Sequence, residues 1–133
     1  MIAVVIDASA GVEMIARTAI GARLRSLLPD DAVPWVPDGL FDVEVHAVLR
    51  RWELRSVLTA EQAASSRLRL ANWPLRRAAI TALADDAWGF RKNITFSDAC
   101  YVVIAQRLSG LLLTSDTKLA SAPTLPVQVL TLR

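Results

Sequence analysis

The apolar run at the start of the chain constrains the fold more than any other feature of the sequence. Residues Ile2–Ile6 read IAVVI, with β-branched side chains at four of the five positions. A strand that is apolar at every position, rather than at alternate positions, is typical of a strand with both faces buried. Strands of this kind belong to parallel sheets that helices cover on both sides, so the run favours an α/β fold.

Segments with strand and helix patterns alternate along the rest of the chain, which supports a central parallel sheet. Apolar residues recur with helical spacing from Val12 to Leu27, and Leu111–Thr114 is predicted to be a second short buried strand. The other predicted elements are a strand at 33–36, a helix capped by Asp38, a helix opened by a Thr59–Gln62 capping box, a helix at about 77–90, a helix capped by Thr95 or Ser97, and a strand at 127–132.

Length and composition are those of one globular domain, to which we assign residues 1–133. Hydrophobic residues make up 53% of the chain and charged residues 21%, which excludes a disordered protein. No apolar run approaches the ~20 residues of a membrane span, and Asp7 follows too soon for a signal peptide, so no membrane association is expected. Cys100 is the single cysteine of the sequence, which favours a reducing, cytoplasmic location.

The basic residues are mostly arginine, and several lie in pairs at Arg50–Arg51, Arg76–Arg77 and Arg91–Lys92. Arginine is suited to bidentate contact with phosphate, but such pairs are more often solvated helix surface. The formal net charge is only +2. The charge balance therefore permits a nucleic-acid partner without demonstrating one.

Four acidic residues occupy unusual positions relative to the predicted elements. Asp7 directly follows the first strand, and Asp116 follows the Leu111–Thr114 strand by one residue. Ligands of open parallel sheets bind beyond the carboxyl ends of the strands, so both side chains are expected at that edge. Asp98 lies in the first turn of the helix that leads to the second of these strands. Glu44 lies at the border of an apolar helical stripe, about 40° from Val48, and is expected to reach over the same edge.

Four carboxylates that converge would repel one another unless a cation neutralised them. Ligands that are all oxygen atoms favour magnesium or manganese over zinc, and the lone His46 and Cys100 are too few for an ordinary zinc site. Such a site suits metal-assisted hydrolysis of a phosphodiester, because the metal ion lowers the pKa of the attacking water and stabilises the leaving oxygen.

Each acid also has a simpler interpretation, which the spacing alone leaves open. Asp7 could cap the following helix, Asp98 could interact with a helix dipole, Asp116 could be a turn residue, and Glu44 could lie on the surface. Other chemistries find less support, because the sequence lacks a P-loop, a Gly-x-Gly-x-x-Gly loop and a Gly-x-Ser-x-Gly elbow. His46, Cys100 and the tryptophans are interpreted as structural.

Four segments resemble, in order, the motifs of PIN-domain ribonucleases, and most closely those of VapC toxins from bacterial VapBC toxin–antitoxin pairs. They span nearly the whole chain, and each contains one of the four acids. The segments are Val4–Ala10 (VVIDASA), Phe41–Arg51 (FDVEVHAVLRR), Asn93–Ala105 (NITFSDACYVVIA) and Leu112–Ala120 (LLTSDTKLA).

This resemblance implies a three-layer α/β/α PIN-like fold and a magnesium- or manganese-dependent endoribonuclease. It also implies a homodimer and a VapB-type antitoxin that occludes the cleft. Asp7, Glu44, Asp98 and Asp116 match the acids of the family that bind metal and catalyse the reaction. Cys100 stands where the family more often has a larger aliphatic residue, and is expected to lie away from the acids.

Four further residues are candidates for supporting roles at the site. Ser9 and Ser115 stand where the family often has a hydroxyl near the metal, and are candidates for contact with its ligands. Arg91 and Lys92 precede the third motif and are candidates for contact with substrate phosphate.

Two rival functions remain open at this stage. The first is a PIN-fold module that holds RNA or metal without cutting, which the complete set of acids disfavours. The second is a phosphatase on a similar sheet, which is disfavoured because Ser9 stands where one such class has a second aspartate after Asp7.

Overall fold

A five-stranded parallel sheet forms the centre of the computed structural model, which describes residues 1–122 and 125–132. The strand order is β3-β2-β1-β4-β5, and every neighbouring pair is parallel. The sheet therefore agrees with the class predicted from the first strand. The strands are β1 (Ile2–Ile6), β2 (Ala32–Pro37), β3 (Arg76–Ala78), β4 (Leu111–Leu113) and β5 (Gln128–Leu130).

Helices connect the strands and fall into two packed groups. The helices from α1 to α4 pack against one another, and α5 packs against α6. The right-handed rule for parallel crossovers places these two groups on opposite faces of the sheet, because the strand order reverses after β3. The helices are α1 (Ala8–Ile15), α2 (Ala19–Ser26), α3 (Leu40–Leu54), α4 (Ala60–Ala71), α5 (Ile80–Trp88), α6 (Phe96–Arg107) and α7 (Thr117–Ala120).

The core lies between the sheet and the helices on either side. The β1 residues Val4, Val5 and Ile6 are 0% exposed, as expected of a strand covered on both faces. Helix α6 contacts β1, β2 and β4, and all its residues from 99 to 105 are buried. This helix is therefore apolar around its whole circumference, which is typical of a helix inside a core.

The predicted helix between Val12 and Leu27 is wrong, because the chain forms two helices there. Helix α1 ends at Ile15, Arg17 adopts a left-handed backbone with φ of 56°, and α2 starts at Ala19. The Thr18 hydroxyl caps α2 by accepting from the amide of Gly21. Apolar spacing continues through the break, which is why periodicity alone did not reveal it.

Two further predictions at helix starts are corrected. Gly39, with φ of 80°, is the N-cap of α3, while the Asp38 carboxylate instead accepts a hydrogen bond from Arg77. The predicted helix at 77–90 begins only at Ile80, because Arg76–Ala78 forms the edge strand β3. An exposed edge strand that contains two arginines lacks the apolar pattern by which strands are recognised.

Other local predictions are confirmed. Thr59 and Gln62 form the predicted capping box of α4, and Thr95 rather than Ser97 caps α6. The last strand, predicted at 127–132, is shorter and spans Gln128–Leu130. Among the described residues, no helix combines the length and apolar character that crossing a membrane would need.

Candidate active site

The site lies where β1 and β4 end side by side, at the point where the strand order of the sheet reverses. Ile6 is paired with Leu113 across the two strands, and the amide of Asp7 donates to the Leu113 carbonyl at 3.1 Å. Asp7 and Asp116 therefore follow neighbouring strands at the same edge. Such reversal points are where open α/β sheets bind ligands, so the location predicted for these two acids is supported.

Asp7 is the most buried of the four acids, with 5% of its surface exposed. Its Oδ1 accepts from the Ser9 hydroxyl at 2.7 Å and from the Ala10 amide at 3.0 Å, and its Oδ2 accepts from the Thr114 hydroxyl. Burial raises the pKa of Asp7 to about 6, although these hydrogen bonds lower it, and the charge of Asp98 adds to the rise. Asp7 also caps α1, so its simpler interpretation as a helix cap is correct as well.

Asp98 lies in the first turn of α6, as predicted, and is half-buried. Its amide donates to the hydroxyl of the cap residue Thr95 at 3.1 Å. Burial raises the pKa of Asp98, the Thr95 hydroxyl lowers it, and the charge of Asp116 raises it further. The position in a first helical turn favours a negative charge, which partly offsets these costs.

Glu44 is half-buried on α3 and points toward α6. Its Oε1 accepts a 2.7 Å hydrogen bond from the hydroxyl of Tyr101. Burial raises the pKa of Glu44, the Tyr101 hydroxyl lowers it, and the charge of Asp98 raises it. The interpretation of Glu44 as a freely solvated surface residue is therefore wrong.

Asp116 is partly exposed and caps the short helix α7. Its Oδ1 accepts from the Lys118 amide at 2.8 Å, while its own amide donates to the Thr114 hydroxyl at 2.9 Å. Thr114 thus contacts both Asp7 and Asp116 and joins the two strand ends through one side chain. Like Asp7, Asp116 combines a capping role with a place at the edge of the sheet.

Each of the other three acids has a charge interaction with Asp98. The charge of Asp98 raises the pKa of Asp7 and of Glu44, and the charge of Asp116 raises the pKa of Asp98. The charges of the four acids therefore interact at this edge of the sheet. Within residues 1–122 and 125–132, however, no three Asp, Glu, His or Cys side chains are arranged closely enough to hold a metal ion as they stand.

The two candidate serines differ in what they contact. The Ser9 hydroxyl donates to Asp7, lies 3.2 Å from the Thr114 hydroxyl and accepts from the Ser115 amide at 3.0 Å. Ser115 therefore joins the network through its backbone, and its hydroxyl makes no hydrogen bond in the part of the chain that is described. Ser9 is the better placed of the two to support an acid.

Arg91 and Lys92 line an open cleft of about 800 Å³ beside Asp98 and Asp116, to which Lys118 also contributes. The Arg91 guanidinium lies 5.3 Å from the ring centre of Trp88 and donates to its carbonyl. Both candidate substrate contacts are thus exposed at the rim of the acidic site. Arg91 is held there by its stacking on an aromatic ring.

Tyr101 and Thr114 also belong to the site, although no motif in the sequence indicated them. Each did carry a recognisable feature: Tyr101 is a phenol in an otherwise apolar buried helix, where a hydroxyl needs a partner, and Thr114 ends an apolar strand. Burial, and to a lesser extent the charge of Glu44, raise the pKa of the Cys100 thiol.

The fold resembles solved structures along almost its whole length. VapBC2 from Rickettsia felis, solved bound to a DNA fragment from its promoter, matches with a TM-score of 0.65 and 14% identity, covering 97% of this chain and 98% of that one. PAE2754 from Pyrobaculum aerophilum matches with a TM-score of 0.60 and 18% identity, covering 96% and 83%. These likenesses confirm the PIN-like α/β/α fold.

Sequence comparison identifies the family. Ribonuclease VapC1 of Mycobacterium tuberculosis is 36% identical over 129 residues, covering 94% of both chains. Ribonuclease VapC3 of the same species is 34% identical over 125 residues, covering 90% of this chain and 86% of that one. No protein-family model matches the chain. The chain belongs to the VapC ribonuclease family.

Proposed function

We propose that this chain is the toxin of a toxin–antitoxin pair and cuts RNA internally by hydrolysing phosphodiester bonds, with magnesium or manganese held by Asp7, Glu44, Asp98 and Asp116. The observation that carries the proposal is the placement of Asp7 and Asp116 at the neighbouring ends of β1 and β4, both bonded to Thr114, with Asp98 lining the same cleft as Asp116. Raised carboxylate pKa values in a cleft are typical of functional sites. The family relationship supports the same activity.

The donor chemistry fits a hard divalent cation, because all four groups offer carboxylate oxygen. A cation would also relieve the repulsion centred on Asp98. Since no three of the described acids are close enough to hold an ion as they stand, binding would require carboxylates to turn toward one another. Asp98 and Asp116 are partly exposed, whereas Asp7 is fixed by three hydrogen bonds and Glu44 is held by Tyr101.

The chain's own residues have separable roles in this proposal. When bound, the ion would supply an activated water and stabilise the leaving oxygen. Ser9 and Thr114 orient Asp7 through hydrogen bonds to its two oxygens, and Tyr101 orients Glu44. Arg91 and Lys92 at the rim would contact substrate phosphate, which offsets the repulsion between RNA and the acids.

A non-cleaving PIN-fold module is the second candidate. One observation favours it, namely that both oxygens of Asp7 already accept hydrogen bonds within the protein. In that case the four acids would serve the fold, and RNA or metal would bind without reaction.

Cleavage of a structured RNA by purified protein separates the two candidates. Products should appear with magnesium or manganese and disappear with excess chelator, and added metal should restore them. Undiminished cleavage in chelator would contradict the metal proposal, while RNA binding without products would support the non-cleaving module. A phosphomonoester assayed in parallel should remain intact, which would exclude the phosphatase alternative.

A VapB-type antitoxin is the proposed partner, and a homodimer the proposed assembly. An acidic cleft favours a cationic side chain, and an arginine is suited to pairing with carboxylates. Because Asp7 is 5% exposed, such a side chain should meet Asp98 and Asp116 first. Substituting the basic residues of an inhibitory antitoxin peptide should therefore abolish inhibition, and unchanged inhibition would contradict this contact.

A further inference from the structure

One arginine cluster is left unexplained by the site described above. Of the pairs noted in the sequence, Arg77 is bonded to Asp38 and Asp42, and Arg91 lies at the cleft. Arg50, Arg51 and the nearby Arg55 are exposed. Their side chains form neither a salt bridge nor a hydrogen bond with any residue that the structure describes.

Arg51 lies on the face of α3 that begins at Glu44, and Arg55, the C-cap residue of that helix, continues the same face. Seven and eleven residues separate them from Glu44, so both fall within about 20° of its direction around the helix axis. They lie about 10.5 Å and about 16.5 Å further along that axis. The acidic site is therefore continued by a row of positive charge leading away from it.

This arrangement costs stability rather than adding it through local pairing. Arg51 and Arg55 are four residues apart, where like charges repel, and the residue four before Arg51 is the neutral Ala47. The C-terminal end of α3 compensates in part through its dipole. The same arginines line a shallow groove of about 460 Å³ together with Ala47, Arg50 and Leu54. The groove thus presents forked donors with no carboxylate among its lining residues.

We propose that this groove binds the phosphate backbone of single-stranded RNA beside the bond that is cut, with Arg51 and Arg55 each contacting a phosphate. The inference rests on the proposed function, because it places the RNA strand relative to Glu44. Guanidinium groups match phosphate oxygens geometrically, and unpaired cations beside an acidic centre offset its repulsion of an anionic substrate. An acidic protein segment or a second copy of the chain could occupy the same groove instead of RNA, and these are the alternatives to the proposal.

The test is the salt dependence of RNA binding. Wild type, Arg51→Ala/Arg55→Ala and the control Arg23→Ala/Arg25→Ala would be titrated with pyrimidine RNA of about four to about sixteen nucleotides. EDTA in the buffer prevents cleavage. The control removes the same two charges from exposed positions on α2. Loss of two phosphate contacts should reduce the slope of log K against log salt by about 1.4, at about 0.7 per contact. The control should keep the wild-type slope.

Several outcomes would contradict the proposal that the groove binds RNA. An unchanged slope in Arg51→Ala/Arg55→Ala, an equal change in the control, or no measurable RNA binding by wild type would each do so. A change of oligomeric mass without a change of slope would assign the face to contact between copies instead. Failure of the proposed function is separable, since a reduced slope in a protein that never cuts RNA would uphold the groove while refuting cleavage.

Discussion

The phenol of Tyr101 and the carboxylate of Glu44 form a 2.7 Å hydrogen bond that joins α6 to α3 at the edge of the site. Tyr101 is 1% exposed, and burial together with the charges of Glu44, Asp7 and Asp98 raises its pKa well above the usual range. The phenol therefore keeps its proton and acts as a donor. The hydrogen bond holds Glu44 in place despite the repulsion between Glu44 and Asp98.

Replacing Tyr101 with Phe should destabilise the protein by about 1–3 kcal/mol, because a half-buried carboxylate loses a donor. Loss of that bond should also raise the pKa of Glu44 further. Thermal melting in EDTA measures the first effect. In a Glu44→Gln background the same substitution should cost less, since the acceptor no longer carries a charge. Equal costs in the two backgrounds would contradict an interaction that depends on the Glu44 charge.

The substitution Asp98→Asn separates catalysis from folding. It removes the charge that raises the pKa of Asp7 and Glu44, so stability without metal should hold or increase. RNA cleavage in magnesium should fall by orders of magnitude if Asp98 holds metal. If Asp98 only interacts with the α6 dipole, cleavage should persist and about 0.3–1 kcal/mol of stability should be lost.

The matched control for that substitution is Asp85→Asn. Asp85 is exposed on α5 and forms no salt bridge with the described residues. The Asp85→Asn protein should have nearly the same melting temperature and single-turnover cleavage rate as wild type. Wild-type cleavage by a folded Asp98→Asn protein would refute the proposed role of Asp98.

Asp7 should make the metal-free protein less stable as pH rises. Its pKa is about 6 in the folded chain against an ordinary value of 3.8 for aspartate, so the folded state binds more protons between those values. Protonated Asp7 therefore contributes about 3 kcal/mol to the free energy of unfolding below about pH 4. This contribution is lost as pH rises through about 6. Melting of wild type and Asp7→Asn in EDTA across this range should show a smaller decline in the variant. Parallel declines would contradict the raised pKa.

Ser9→Ala and Ser115→Ala should have unequal effects. Without the Ser9 hydroxyl, Asp7 loses one donor and the Ser115 amide loses its acceptor, which should cost about 1–3 kcal/mol. Ser115→Ala removes a hydroxyl that has no described hydrogen bond, and should lie within about 0.5 kcal/mol of wild type. Chemical denaturation of the two variants measures the difference. A larger cost for Ser115→Ala would reverse the assigned roles.

The sequence predicted those parts of the structure that depend on local pattern. The apolar run at Ile2–Ile6 identified the central strand, and acids just after strands located the edge that carries the site. The break at Arg17 was missed because apolar spacing continues across it. Strand β3 was missed because it depends on pairing with β2 rather than on its own residues.

The contacts within the site could not be predicted in the same way. Thr114 and Asp7 are 107 residues apart in the chain, and Tyr101 and Glu44 are 57 apart. Such partners meet only through the tertiary fold, since neither lies within a helical turn or a strand neighbour of the other. The sequence shows that a buried phenol needs an acceptor, but not which acceptor it has.

The helix caps at Asp7 and Asp116 separate the four acids into two groups, according to whether a substitution also removes a helix cap. Asp7 and Asp116 each begin a helix, whereas Glu44 and Asp98 cap none. If all four acids are needed for activity, substitution at Asp98 would remove the activity and leave every helix with its cap. Substitution at Asp7 would weaken the first helix as well, and substitution at Glu44 would leave the buried Tyr101 hydroxyl without its acceptor. Inactive variants that still yield abundant protein should therefore be found at Asp98 rather than at Asp7 or Glu44.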